Sequence, residues 1–245
     1  LGMALGVASL IVVLSVMNGL AGELTGRLLN AIPHVELRFI DYDGDAQALA
    51  ERVELSQSGI AATPYLKRQV MARSEFGTSG AELLGLETGS TQRFNARVVD
   101  GSLQEVMTQP YHIALGAVLA NSLGVSIGDS IEVVLPRLSI TPFGVLPRYR
   151  KLRVGAVVSV GASPDASMAV TSLETMKKLS GVVYVDGIRL QLKDPDRADS
   201  VAQLLEGEYR GRINAVTWTE SYGSLFSAIR MEKIMVSILL SALIA

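Results

Sequence analysis

Neither end of this chain carries a charge. Leu1 to Met17 and Ile234 to Ala245 contain no Asp, Glu, Lys or Arg, so all 22 basic and 24 acidic residues lie between them. A run of seventeen residues with nothing more polar than Ser9 and Ser15 spans about 25 Å as a helix, against a bilayer hydrocarbon core of about 30 Å. The second run stops without a flanking charge or cap, as a membrane helix cut within its length would. Both ends therefore read as truncated transmembrane helices, holding a polar domain between them. A signal peptide needs basic residues ahead of its apolar run and a small-residue cleavage site after it. Leu1 has nothing basic before it, and Met17-Asn18-Gly19-Leu20 is no such site. A buried core helix would fit the second run by length alone, but the matching run at the other end favours the membrane.

The chain has no cysteine, which removes disulfide frameworks, thiolate metal sites and cysteine nucleophiles. A net charge of −2 and a pI near 5.8, with scattered basic residues, exclude a nucleic-acid surface, which needs clustered Lys and Arg. The middle region is long enough for one large or two small cores.

Beyond the first run the pattern becomes amphipathic. Met17, Leu20, Leu24, Leu28 and Ala31 recur at three and four residues while Glu23, Thr25, Arg27 and Asn30 take the other side, which predicts a stalk ended by Pro33. His34 to Ile40 alternates as a strand, and Asp45 is placed to cap a helix over Ala46 to Leu55. Strands near Ala61 to Ser74 and Glu82 to Leu86 follow, with Gly77-Thr78-Ser79-Gly80 as their turn. Starting near Phe94, a second pattern gives a strand at Tyr111 to Gly116, a short helix at Ala117 to Leu123, a tight turn over Gly124 to Asp129 and a strand at Ser130 to Leu135. Strands at Lys151 to Val160, Ser167 to Thr171, Gly187 to Leu192 and Ile213 to Thr217 follow, with helices at Leu173 to Leu179 and Asp199 to Glu206.

Pro136 to Pro147 interrupts two of these strands with three prolines and several apolar residues. Proline fixes φ and withholds a donor, so such a segment can project without offering a strand edge. A conformationally restricted apolar tip suits docking, since less entropy is lost on binding. Ile140, Phe143 and Leu146 folding back onto the domain is the other reading.

Bond chemistry is poorly represented. His34 and His112 sit at strands with no metal-type spacing to a second ligand. Asp41-Tyr-Asp-Gly-Asp45 begins like a calcium loop, but Ala46 stands where Gly is needed and Arg52 where a bidentate Glu belongs. No phosphate loop precedes a helix, and Gly77 to Gly80 lacks the spacing of a nucleophile elbow.

Several segments resemble one family in order along the whole chain: Leu14-Ser-Val-Met-Asn-Gly-Leu-Ala-Gly-Glu-Leu24 running into Ile32-Pro33, Leu84-Gly-Leu-Glu87, Ala114-Leu-Gly116, Leu123-Gly-Val-Ser-Ile-Gly-Asp129 and Ile229-Arg-Met-Glu-Lys233. They are similar to the LolC/LolE permease subunits of the lipoprotein-releasing ABC transporter. The turn at Gly128-Asp129 is shared with macrolide exporters and cell-division permeases, whereas Ser-Val-Met-Asn-Gly and Arg-Met-Glu-Lys are more specific. Arg230 to Lys233 and the proline-bearing loop favour the LolC type, Ser221-Tyr222-Gly223 the LolE type, and a hybrid subunit would combine them.

The resemblance implies an α+β, MacB-like periplasmic domain flanked by the two truncated helices. The first helix and stalk would take residues 1–32, a mixed α/β porter subdomain 33–88 and 181–224, an inserted β-rich sabre subdomain 89–180, and the second stalk and helix 225–245. It places a chaperone-recruiting hook at 136–150, with Pro142, Phe143, Gly144, Val145, Leu146, Pro147, Arg148 and Arg150 as hook and supporting pad. Phe143 replaces a smaller residue at the tip, and Glu132 stands where a basic pad residue is expected. By the same resemblance Met17 matches a lipid-lining position, its flexible thioether suited to varied acyl surfaces. Val13, Leu20 and Leu24 share its helical face and Met231, Met235 and Ile238 form a similar stripe, which joins them to the lipid-lining set, ordinary lipid-facing or helix-packing positions being the other reading.

The implied protein sits in the bacterial inner membrane with residues 33–224 in the periplasm. Its partners would be an ATPase subunit, a second permease subunit (a paralogue or a second copy), a periplasmic lipoprotein chaperone and lipoprotein cargo. It would be non-catalytic and without a cofactor of its own, ATP and Mg belonging to the ATPase. The rival readings are a MacB-like efflux permease and an FtsX-like signalling protein that activates a cell-wall hydrolase.

Overall fold

The computed structural model describes residues 32–56, 59–89, 96–141, 144–161 and 163–223, together with single helical positions between 12 and 29 and between 227 and 235; at 136–141, 144–148 and 163 it describes the backbone alone. No helix among the described residues is long and apolar enough to cross a membrane.

The first strand, β1 (Val35–Phe39), follows the sequence alternation, with Val35 and Leu37 fully buried. Helix α1 (Ala46–Ser56) starts as predicted: the Asp45 carboxylate accepts the Gln47 N–H at 2.9 Å, and Leu49, Ala50 and Val53 form its buried face. Strand β2 (Ile60–Arg73) lies within one residue of its predicted bounds, whereas β3 (Thr78–Leu86) starts four residues sooner than predicted and the turn between them lies earlier. Ser74 moves it. Its Oγ accepts the N–H groups of Phe76 and Gly77, both at 3.1 Å, closing the chain at Ser74 to Gly77. Thr78, Ser79 and Gly80 consequently pair with Arg73, Ala72 and Met71 inside the ladder.

Next come β4 (Arg97–Gly101) and α2 (Leu103–Thr108), neither predicted from sequence. They are followed by β5 (His112–Gly116), α3 (Ala117–Ser122), β6 (Ser130–Thr141), β7 (Gly144–Ser159), β8 (Met168–Ser172), α4 (Leu173–Ser180), β9 (Gly187–Leu192), α5 (Ala198–Glu208) and β10 (Ile213–Thr217). The predicted tight turn before β6 is present. Gly124 and Gly128 take positive φ of 63° and 93°, and the Asp129 carboxylate accepts the Ser126 N–H at 2.8 Å.

The ten strands among the described residues share one sheet, ordered β10-β1-β9-β2-β3-β8-β5-β7-β4, with β6 bridging β7 and β2. Pairing therefore closes on itself through β2-β3-β8-β5-β7-β6 and back to β2. Strand β2 makes this possible by changing partners along one edge: Ile60 to Tyr65 pair with β9, and Met71 to Arg73 with β6. Three apolar clusters follow. One packs α1 and α5 on β1, β9 and β10 through Leu37, Leu49, Val53, Leu190, Val201 and Leu205. A second gathers Leu66, Leu83, Leu115, Leu119, Ile131 and Met176, and a third sets α2 against the reverse strand positions Tyr65, Leu84, Ala114 and Val158.

Candidate functional site

The Pro136 to Pro147 segment does not interrupt its strands; β6 and β7 run through it. They pair from Ser130↔Arg153 to Thr141↔Gly144, with a shift between Leu135 and Leu138 that leaves Pro136 and Arg137 outside the regular register. That irregularity divides the hairpin in two. Below it, Ile131, Val133, Leu135, Leu152 and Val154 are at most 2% exposed, and β6 is held on its other edge by β2. Above it, Leu138 to Thr141 pair with Gly144 to Pro147 and, among the described residues, with no other strand. Six strand steps from Leu135 to Thr141 carry the arm about 20 Å from its anchor. Proline fits both places: Pro136 needs no ladder donor at the bulge, and Pro147 withholds one from the arm.

Of the predicted hook residues, Pro142 and Phe143 lie outside the described residues. Gly144, Val145, Leu146, Pro147 and Arg148 are strand positions of β7, paired through the register just given, and Arg150 is exposed beside the buried Val133. Strand parity separates Arg148 and Arg150, in register with Leu135 and Val133, from Glu132, in register with Lys151.

Glu132 has its own cationic neighbours. It lies between Arg73 of β2 and Lys151 of β7 in one cross-strand row, and the Arg73 guanidinium donates to its carboxylate from Nε at 3.0 Å and again from a terminal nitrogen. The next row on the same face is Met71, Val134 and Tyr149, with Met71 54% and Tyr149 62% exposed. Beside these rows a concavity of about 750 Å³ is bounded by Arg73, Phe76, Val125, Glu132 and Lys151. Sequence reasoning passed over Arg73, Met71, Tyr149 and Lys151. The alternation of Lys151 and Arg153 with the buried Leu152 and Val154 was the available signal for Lys151; Tyr149, flanked by Arg148 and Arg150, had none. For the β2 members the pairing with β6 had to be known first.

Among the lipid-lining candidates, Val13, Met17, Leu20, Leu24 and Ile238 lie outside the described residues. Met231 and Met235 are helical, 63% and 59% exposed.

The model of the MacB-like periplasmic core domain matches residues 1–208. The chain belongs to that family. Over its full length it is 34% identical to the lipoprotein-releasing system transmembrane protein LolC of Neisseria meningitidis serogroup B and 32% identical to that of Xylella fastidiosa, covering 60% of each. A LolE of Haemophilus influenzae is 22% identical over 94% of the chain. The chain thus spans somewhat under two thirds of these relatives. The crystal structure of the periplasmic region of MacB from Actinobacillus actinomycetemcomitans superposes with a TM-score of 0.51 at 13% identity, covering 81% of this chain and 94% of that one. That likeness is one of fold, and it agrees with the predicted mixed α and β periplasmic domain.

Proposed function

We propose that this chain is the periplasmic domain, with parts of its two flanking membrane helices, of a LolC-type permease subunit. The subunit releases lipoproteins from the inner membrane and passes them to a periplasmic chaperone. Support comes from the full-length similarity to LolC proteins. The observation that carries the docking step is the hairpin: a two-stranded extension of β6 and β7 past their shared irregularity, rooted in a core, with an apolar tip sequence. A rooted arm fixes where its tip stands, so a partner orders little on binding. No bond chemistry falls to this chain; ATP hydrolysis belongs to a separate ATPase, and a LolE-like paralogue or a second copy completes the permease. Residues 33–88 and 181–224 form the porter part and 89–180 the sabre part. Met17, with Val13, Leu20 and Leu24, grips acyl chains. An efflux permease or a hydrolase-activating protein could share this fold but would have no use for a proline-bearing docking arm.

Capture of the chaperone by the detergent-solubilised full-length subunit tests the reading. Phe143→Glu places a charge at the tip and should weaken capture by about 30-fold, the effect of losing a central apolar anchor. Undiminished capture by that variant, or no capture by the parent, contradicts it.

A further inference from the structure

His34 stands where three parts of the chain meet. Its backbone N–H donates to Leu190 O of β9 at 2.9 Å, and its carbonyl accepts the N–H of Trp218 at 3.0 Å, the first residue of the helical stretch 218–223 that leaves β10. The side chain reaches the other way. Leu192 N–H donates to Nδ1 at 3.0 Å, so the proton of the neutral ring sits on Nε2, which is 2.9 Å from the carbonyl of Leu29. The amide nitrogen of Gln191 donates to the same carbonyl at 3.3 Å and lies 3.1 Å from Nε2 itself, so Leu29 is met by both side chains. Leu29 is helical and falls in the amphipathic stretch that continues the uncharged N-terminal run. The last carbonyls of a helix have no partner within it. Here one is taken up by an imidazole that is 3% exposed and whose hydrogen-bond partners are all uncharged.

We infer that His34 is the positioning residue through which both membrane-directed segments are held to the periplasmic sheet, so that displacement of the first stalk is carried into the domain. The inference rests on the proposed transport function. A single residue does this because its two halves are committed to different segments. The backbone ties β9 to the exit toward the second membrane helix, and Nε2–H ties the end of the first stalk. Four residues separate Leu29 from His34, and Ile32 among them is itself 4% exposed, so the linking segment is short.

Two isosteres separate the bonds. Asparagine places an acceptor where Nδ1 lies, keeping Leu192 satisfied, but is too short to reach Leu29. Glutamine places a donor near Nε2 and gives up the Leu192 bond. The full-length subunit, assembled with its ATPase in proteoliposomes, is measured for ATP hydrolysis, for transfer of a triacylated lipoprotein to the chaperone, and for the yield of a short thiol cross-linker between Leu29→Cys and Gln191→Cys. These would be the only cysteines in residues 1–245. His34→Asn should lower both the cross-linking yield and the lipoprotein transferred per ATP by about five-fold, the worth of one neutral hydrogen bond, with ATP hydrolysis changed by less than about two-fold. His34→Gln should leave both near the parental level. Unchanged cross-linking in His34→Asn, or equal losses in the two variants, overturns the inference. Absence of transfer by the parent counts instead against the transport function, because the cross-linking arm still reports whether His34 holds the stalk.

Discussion

Arg73 on β2 and Glu132 on β6 face each other across the base of the hairpin, joined by two guanidinium nitrogens on one carboxylate oxygen. The pair replaces an expected basic residue with an acid that is already neutralised, and Lys151 on the far side of Glu132 leaves the row net positive. Because the Arg73 side chain is 60% exposed, water and salt screen the interaction. A double-mutant cycle with Arg73→Ala and Glu132→Ala should give a coupling of about 0.5 kcal/mol, falling toward zero in 1 M salt. A coupling that does not respond to salt would contradict this.

His34 gives the domain an acid-sensitive element. Burial holds its imidazole below the ordinary value of 6.5, the Leu29 carbonyl only partly offsetting it. The unfolded chain then takes the proton more readily than the folded one. The contribution to stability is complete above the unfolded pKa and is lost as pH falls from there toward the folded one, by up to about 1.4 kcal/mol per pH unit. His34→Gln should remove this slope. Subtracting its denaturation curves from those of the parent, between about pH 7 and about pH 5, isolates the effect; a pH-independent difference would refute it.

Asp186 ties the approach to β9 onto the middle of β2. Its carboxylate accepts from Arg68 Nη1 at 2.7 Å and 2.9 Å and from the Lys67 N–H at 2.8 Å, while its own N–H donates to Tyr65 O. Asp186→Ala leaves a half-buried guanidinium and a backbone donor without this partner. The expected loss is about 1–3 kcal/mol in chemical denaturation, larger than for Arg73→Ala. Equal losses at the two sites would contradict the difference in burial.

Much of the sheet nearest the chain ends was legible because its strands have one buried and one polar side. Val35 and Leu37 alternate with Glu36 and Arg38, and Ile188, Leu190 and Leu192 with Arg189 and Gln191. Strand β4 was invisible for the opposite reason: all five of its residues are exposed, so no alternation exists to be read. The β2–β3 turn was misplaced because two glycines mark Gly77 to Gly80, whereas the Ser74 hydroxyl closes the chain earlier. The length of the hairpin was hidden by its prolines, which a strand tolerates only at a bulge or on an unpaired edge. His34 carried no signal beyond its strand position, since its partners Leu29, Leu192 and Trp218 are brought to it by the fold.

Gly187 opens β9 with no room for a side chain, a Cβ there meeting the backbone carbonyl of Leu37. Strands β1 and β9 would have to separate. Gly187→Ala should cost about 3 kcal/mol or more and lower the melting temperature accordingly, whereas Gly80→Ala, where the added Cβ meets nothing within 4 Å, should change it little. Similar melting temperatures for the two variants would contradict the close approach.

Transfer of a triacylated lipoprotein from proteoliposomes containing the full-length subunit and its ATPase to soluble chaperone, measured with and without ATP, tests the proposed role most directly. The expected result is ATP-dependent appearance of a soluble lipoprotein–chaperone complex, reduced by about 30-fold in Phe143→Glu while ATP hydrolysis continues. Transfer that is independent of ATP, or that proceeds at the parental rate in Phe143→Glu, would contradict it.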